Sequence, residues 1–216
     1  MTTAIDVQPE VSASPQVVAR GERVWLRPVE PGDRFYLRRW ANDAFLERMA
    51  GSDFLRAYRR AGEHPAFLDA CLADPLQVIF IVTEAAEDAE PLGLVRLFNI
   101  HRREGYAFLE TIIADRQAIG KGCGVEAGKL ICAWGLDVLA LERIEAKVYE
   151  YNVLSINALK RNGFQQEGVL RQAGCQGGRR CDVVIFGILR AELEARRRQE
   201  ANPQRFCFPC MPERGR

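Results

Sequence analysis

Residues 116–127 read Arg116-Gln117-Ala118-Ile119-Gly120-Lys121-Gly122-Cys123-Gly124-Val125-Glu126-Ala127, and three of them are glycines that alternate with single residues. Upstream lies the apolar run Phe108 to Ala114; downstream Ala127, Leu130, Ile131, Trp134, Leu136, Val138 and Leu139 recur at helical spacing. A strand, a tight turn and a helix start must therefore follow one another here. Glycine carries no Cβ, so the backbone of such a turn can come close to another group. At a helix N-terminus several N–H groups lack intrahelical partners and point the same way, and the helix dipole favours negative charge there. Two readings follow: a cradle for a phosphate or pyrophosphate, or a strand-to-helix turn whose glycines serve packing.

The chain of 216 residues suits one domain with tails. Residues 1–20 are rich in Ser, Thr, Pro and Val without a sustained period and are expected to form a flexible arm. Residues 21–192 carry the folded domain, and 193–216 hold a charged helix end and a Pro/Cys/Arg tail. A net charge of +1 argues against a dedicated nucleic-acid surface. No apolar run approaches the roughly 20 residues a membrane-spanning helix needs, and residues 1–20 lack the pattern of a secretory signal. The seven cysteines are an odd, scattered set, of which Cys71, Cys123, Cys132, Cys175 and Cys181 read as small hydrophobes or incidental thiols of a reducing cytoplasm. Cys207 and Cys210 form a lone C-x-x-C without the second ligand pair of a zinc site, so no metal is expected.

Alternation marks a first strand over Glu22–Val29. Asp33 reads as the N-cap of a helix carrying Phe35, Leu37 and Trp40, and a polar, basic stretch with Arg56, Arg59 and Arg60 follows. A short helix spans Pro65–Leu72. Gln77–Thr83, Pro91–Ile100 and Tyr106–Ala114 read as strands joined by short connections, which makes them antiparallel neighbours. Beyond the glycine stretch come a strand over Arg143–Tyr149 and a short helix from Asn152 to Arg161, closed by Asn162-Gly163. Two strands, Phe164–Arg171 and Cys181–Leu189, flank the turn at Gly177-Gly178. The sum is a mixed α+β domain with helices on both faces of one mostly antiparallel sheet.

In that order of elements, Gln117-Ala118-Ile119-Gly120-Lys121-Gly122 resembles the Q/R-x-x-G-x-G/A signature of the GNAT superfamily of N-acetyltransferases. Asn152 through Asn162-Gly163-Phe164 resembles that family's second signature, an Asn leading a short helix that ends in Gly-Phe. Gly178 to Val184 is similar to the last hairpin of the branch that acetylates ribosomal-protein N-termini and various small amines. The resemblance covers residues 22–192 and implies a sheet splayed at its centre, with acetyl-CoA as co-substrate and a small amine or a peptide or protein N-terminus as partner. Homodimers are common in folds of this kind.

The resemblance also implies site residues. Ile119, Gly120, Lys121, Gly122, Cys123 and Gly124, with Gln117 ahead of them, would hold the pyrophosphate; Lys121 reads equally as a solvated loop lysine. Backbone groups of Ile112, Ile113 and Ala114 would bond the pantetheine arm. The Asn152 side chain would contact that arm, or it is a plain helix N-cap. Acetyl transfer needs a base for the amine, and Glu110 is the one carboxylate inside the Tyr106–Ala114 strand. It is either that base or an outward-facing strand glutamate, on one face with Phe108 and Ile112; Glu104 is a weaker alternative. Many family members carry a tyrosine as general acid where this chain has Leu159. Ser155, one helical turn after Asn152, is a candidate acid or a helix-surface serine; Tyr149 and Tyr151 are further options, as is protonation by solvent. The acceptor pocket is expected from Asp33–Trp40, Arg48–Arg60 and the Ala173–Arg180 turn.

Gly122-Cys123-Gly124-Val125-Glu126-Ala127 also satisfies the dinucleotide fingerprint, but that site needs a β-α-β start rather than tightly turned strands ahead of it. A Walker A loop fails because no Ser or Thr follows a Gly-Lys at the required spacing. An acyl-CoA-binding sensor on the same fold survives, given Leu159.

Overall fold

The computed structural model describes residues 17–61 and 64–200. The strands are β1 (Ala19–Arg20), β2 (Val24–Pro28), β3 (Val78–Glu84), β4 (Pro91–His101), β5 (Tyr106–Ile113), β6 (Arg143–Tyr149), β7 (Gln165–Gln176) and β8 (Arg179–Leu189). They form one sheet in the order β1-β2-β3-β4-β5-β6-β8-β7, antiparallel throughout except for β5 beside β6. The helices are α1 (Arg34–Ala41), α2 (Ala44–Ala50), α3 (Asp53–Ala61), α4 (Pro65–Ala73), α5 (Cys123–Leu139), α6 (Val153–Arg161) and α7 (Arg190–Glu200). The expected α+β architecture is the one observed.

Two hydrophobic cores, one per face, explain the strand compositions. On one face Phe80, Val82, Leu97, Ala107 and Leu109 meet Ala127, Ile131 and Leu136 of α5. On the other, Ile79, Ile81, Leu94 and Ile112 meet Leu37, Trp40, Phe54, Leu55 and Leu68 of α1, α3 and α4. A strand covered on both sides has no polar face, which is why β3 reads as an unbroken apolar run. The first turn of α5 holds the entry to β2: the Glu126 carboxylate accepts the backbone N–H groups of Glu22, Arg23 and Val24 at 3.0, 2.7 and 2.9 Å.

The parallel pair positions the site. β5 and β6 match only at Tyr106–Arg143, Ala107–Ile144 and Phe108–Glu145. Beyond them the strands part, while β5 stays in register with β4 as far as Ile113. The end of β5 is drawn toward β4. The Leu92 carbonyl accepts both Ala114 N–H (2.7 Å) and Asp115 N–H (3.0 Å). A Cβ on Gly93 would lie 1.9 Å from the Ile112 carbonyl oxygen, an approach only glycine permits.

Several local expectations change. Asp33 does not cap α1 with its side chain; it ends a 3-10 turn and is buried in a two-point pair with Arg27 at 2.7 and 2.8 Å. A buried carboxylate takes a fixed guanidinium in preference to two backbone N–H groups, because that pairing neutralises its charge. The basic stretch is two helices. Asp43 caps α2 by accepting from Phe45 and Leu46 N–H, left-handed Gly51 ends it, and α3 buries Phe54, Leu55 and Tyr58. Strand β7 runs on to Gln176, past irregularities in its pairing with β8 and a left-handed Gln172. Ala19 and Arg20, placed in the arm from sequence, pair with β2. Leu193 of α7 is buried in the first core. Most of the arm and the Cys207/Cys210 tail lie outside the described residues. Among the described residues, no helix is long and apolar enough to cross a membrane.

Replacing Gly93 with alanine is expected to lower stability by about 1–3 kcal/mol, the usual cost of forcing an atom into a filled space, read as a lower urea midpoint. An unchanged midpoint would mean that the close approach of β4 and β5 is not required.

Candidate active site

A cleft of about 830 Å³ opens where β5 leaves β6. Its walls are residues 109–113 of β5, residues 146–149 of β6, the loop before α5, and α6; α2, α3 and Ala173–Cys175 of β7 close one end. Gln176 ties that stretch of β7 to α2 through a bond from its Nε2 to the Glu47 carbonyl.

The loop is folded by its own short bonds. Asp115 Oδ1 accepts Gln117 N–H, and the carbonyls of Asp115 and Ala118 accept Ala118 and Lys121 N–H. Gly120 (φ 80°) and Gly122 (φ 92°) are left-handed, and Gly122 is the residue ahead of α5. Among the described residues, the N–H groups of Ile119, Gly120, Gly122, Gly124 and Val125 have no backbone acceptor. Arg116 clamps the loop to the start of α2, with Nη2 2.8 Å from both Asp43 oxygens and its guanidinium over the Phe45 ring. These free donors at a helix N-terminus are chemically suited to a phosphate-bearing ligand. Thr111 adds a second unmet polar group: its hydroxyl oxygen is buried, lacks a partner among the described residues, and belongs to a cleft-lining residue.

Glu110 lines the cleft and is mostly buried, so it is not an outward-facing glutamate. Its Oε2 accepts Arg96 Nε at 2.6 Å, and among the described residues Oε1 accepts no hydrogen bond. Arg96, from the neighbouring β4, is itself buried; its guanidinium lies over the rings of Phe54 and Phe98. Sequence reasoning missed this partner, although Arg96 and Glu110 become register neighbours once β4 and β5 are joined by the hairpin.

Asn152 caps α6: its Oδ1 accepts Ser155 N–H at 3.1 Å, and its Nδ2 donates to the Met49 carbonyl at 2.8 Å. Both ends of the amide therefore serve the protein. Ser155 is half-buried and lines the cleft, as do buried Leu159 and half-buried Tyr149. Tyr149 shares a hydrogen bond with Arg56. Tyr151 is not in the lining; its hydroxyl donates to the Arg48 carbonyl at 2.7 Å. Burial, then its neighbours Cys181 and Tyr149, push its hydroxyl up to about 12.

The cleft thus brings together Glu110, Ile112, Ile113, Ile119, Gly120, Gly122, Gly124, Asn152 and Ser155. Ala114, Gln117, Lys121 and Cys123 fall outside its lining. Ala114 packs into the core shared with α1, α3 and α4, and Cys123 into the core under α5. Gln117 and Lys121 point to solvent. Of the expected acceptor-pocket segments, Arg56 and Ala173–Cys175 reach the cleft, whereas residues 33–40 and the 177–178 turn do not. Arg56 and Arg59 both pair with Glu47, at 2.8 and 3.4 Å. Among the described residues, no cluster of three or more His, Cys, Asp or Glu is placed to hold a metal.

A sheet splayed between two parallel strands, with a glycine-lined helix N-terminus at the gap, is the frame of an acyl-transfer enzyme. The model of the acetyltransferase (GNAT) domain matches residues 23–165, and the chain belongs to that family of N-acetyltransferases. It is 42% identical to the uncharacterized N-acetyltransferase p20 of Bacillus licheniformis over 172 residues, 79% of this chain and 95% of that one. It is 29% identical to an N-acetyltransferase 9-like protein of Caenorhabditis briggsae over 154 residues, covering 67% of this chain and 76% of the relative. A spermidine N-acetyltransferase of Vibrio cholerae, solved with CoA and spermine, superposes with a TM-score of 0.71 at 22% identity, covering 81% of this chain and 99% of that chain. At that identity the likeness shows the fold alone.

Tyr151 yields a pH prediction. Its phenol ionises near 10 when unfolded and near 12 when folded, so the folded state holds the proton longer. The stabilisation is complete below pH 10 and is lost as the pH rises toward 12. The urea midpoint is expected to fall over that range, and less steeply in Tyr151→Phe. Identical slopes for both proteins would contradict the assignment.

Proposed function

We propose that the chain transfers the acetyl group of acetyl-CoA to a primary amine, on a small amine, an amino-sugar or a protein N-terminus, by direct attack without a covalent enzyme intermediate. The reading rests on one observation above all: the free N–H groups of Ile119, Gly120, Gly122, Gly124 and Val125 lie beside the gap between β5 and β6. The branch that acetylates ribosomal-protein N-termini and small amines is the one the closing hairpin resembles.

Bound in the cleft, acetyl-CoA would supply an activated acyl group with a good leaving group. The loop N–H groups and the dipole of α5 hold its pyrophosphate. The free edge of β5 at Ile112 and Ile113 offers backbone hydrogen bonds to the pantetheine arm, and the Thr111 hydroxyl is a further polar group on that strand. Glu110 takes the proton of the attacking amine, directly or through a water. Arg96 fixes the carboxylate through Oε2 and leaves Oε1 for that proton. The Ser155 hydroxyl protonates the departing sulfur, since Leu159 has no proton to give; Tyr149, in the same lining, is the alternative donor. Leu159 also favours a second reading, an acyl-CoA-binding sensor that does not turn over.

Acetyl-CoA is expected to raise the melting temperature and NADH to leave it unchanged; stabilisation by NADH alone would end the acetyltransferase reading. Free-thiol release should appear with members of a panel of amines and N-terminal peptides. Tight acetyl-CoA binding without release across the panel would favour the sensor. Glu110→Gln is expected to lower kcat by about 100-fold or more, the usual contribution of a positioned base, with acetyl-CoA affinity retained. An unchanged kcat and pH profile would remove Glu110 from the mechanism.

A further inference from the structure

The gap between β5 and β6 has one lip on each strand. The last matched residues are Phe108 and Glu145. Two residues further on each strand, on the same face by period-two alternation, stand Glu110 and Lys147. Both line the cleft. Beside them is an aromatic floor: Lys147 Nζ is 5.0 Å from the Phe108 ring centroid, Phe108 and Phe98 are 5.7 Å apart, and the Arg96 guanidinium sits 4.2 Å over Phe98. At this acceptor end the lining holds three cations, Arg56, Arg96 and Lys147, and two carboxylates, Asp53 and Glu110. Each carboxylate already has an arginine: Glu110 has Arg96 at 2.6 Å, and Asp53 has Arg56 at 3.5 Å. Lys147 is exposed and has no carboxylate within salt-bridge distance among the described residues.

We propose that Lys147 is a specificity residue and that the acceptor is a primary amine carrying an acidic group at the far end of a short methylene stem, as in an ω-amino acid or an aminoalkyl phosphate. This deepens the acetyltransferase reading and rests on it. The amine goes to Glu110, an apolar stem lies over Phe98 and Phe108, and the acidic group meets the Lys147 ammonium. A polyamine would instead bring its second cation against Lys147 with no spare carboxylate to receive it. Like-charge contact of that kind disfavours a partner even where the rest of its shape fits. The apolar floor suits a short methylene chain, because burying such a stem removes apolar area from water.

Binding to the CoA-loaded protein tests this without turnover. Isothermal titration would compare 6-aminohexanoate, hexylamine and 1,6-diaminohexane, which share a stem and differ in one end group. The amino acid is expected to bind about tenfold or more tighter than hexylamine, equivalent to about 1.4 kcal/mol, with the diamine weakest. Lys147→Gln should erase the preference, and Lys147→Glu should reverse it toward the diamine, with CoA affinity unchanged in both. Equal affinities, a preference for the diamine, binding of none of the three, or a preference surviving Lys147→Gln overturns the proposal. CoA titration into the free protein is a separate arm, so failure there bears on the acetyltransferase reading and not on Lys147.

Discussion

The arrangement depends on how briefly β5 and β6 pair. Two parallel strands in one sheet normally share hydrogen bonds along their length. Here they share them for three matched residues and then diverge, so each backbone presents a free edge inside the molecule. Such an edge is costly unless something else bonds it. The divergence has a local cause on the β4 side, where Gly93 and the doubly accepting Leu92 carbonyl draw the end of β5 away. It also delivers the chain into the glycine loop at the head of the gap. An unsatisfied strand edge and an unsatisfied helix N-terminus therefore line one space, with the buried Thr111 hydroxyl, which has no partner among the described residues, beside it. Such a concentration of unmet polar groups marks a place built for a ligand rather than for packing.

Charge is handled differently at the two ends of that space. At the loop end backbone dipoles act with the side chains of Arg161, in the lining, and Arg23, beside Gly122, while Lys121 is exposed to solvent. At the other end the charge comes from side chains held in pairs. Arg96 is buried with Glu110, and Arg56 is shared among Glu47, Asp53 and Tyr149. A buried pair holds its geometry because breaking either member strands the other charge in a poorly polarisable site. Glu110 is thereby fixed in orientation while keeping one oxygen free.

Much of the chemistry was legible along the chain because it is local. The glycine loop, the cap at Asn152 and the turn at Asn162-Gly163 each depend on residues within a few positions. Strand β3 was legible because burial on both faces leaves a continuous apolar run. What was misread depended on neighbours distant in sequence. Asp33 looks like a cap until Arg27 is placed beside it. The helices α2 and α3 were hidden by their arginines, although Asp43, Gly51 and the spacing of Phe54, Leu55 and Tyr58 marked them.

By itself, then, the sequence determined the family, most of the succession of elements and the position of the glycine loop, since these follow from backbone preferences and period. Tertiary structure alone decided which polar groups are left over. Whether Glu110 faces a cleft, whether Asn152 is already engaged and whether Lys147 stands unpaired across from Glu110 are questions of three-dimensional pairing. Residues up to a hundred positions apart settle them, because a charge or an amide buried in a fold takes whichever partner the sheet brings within reach.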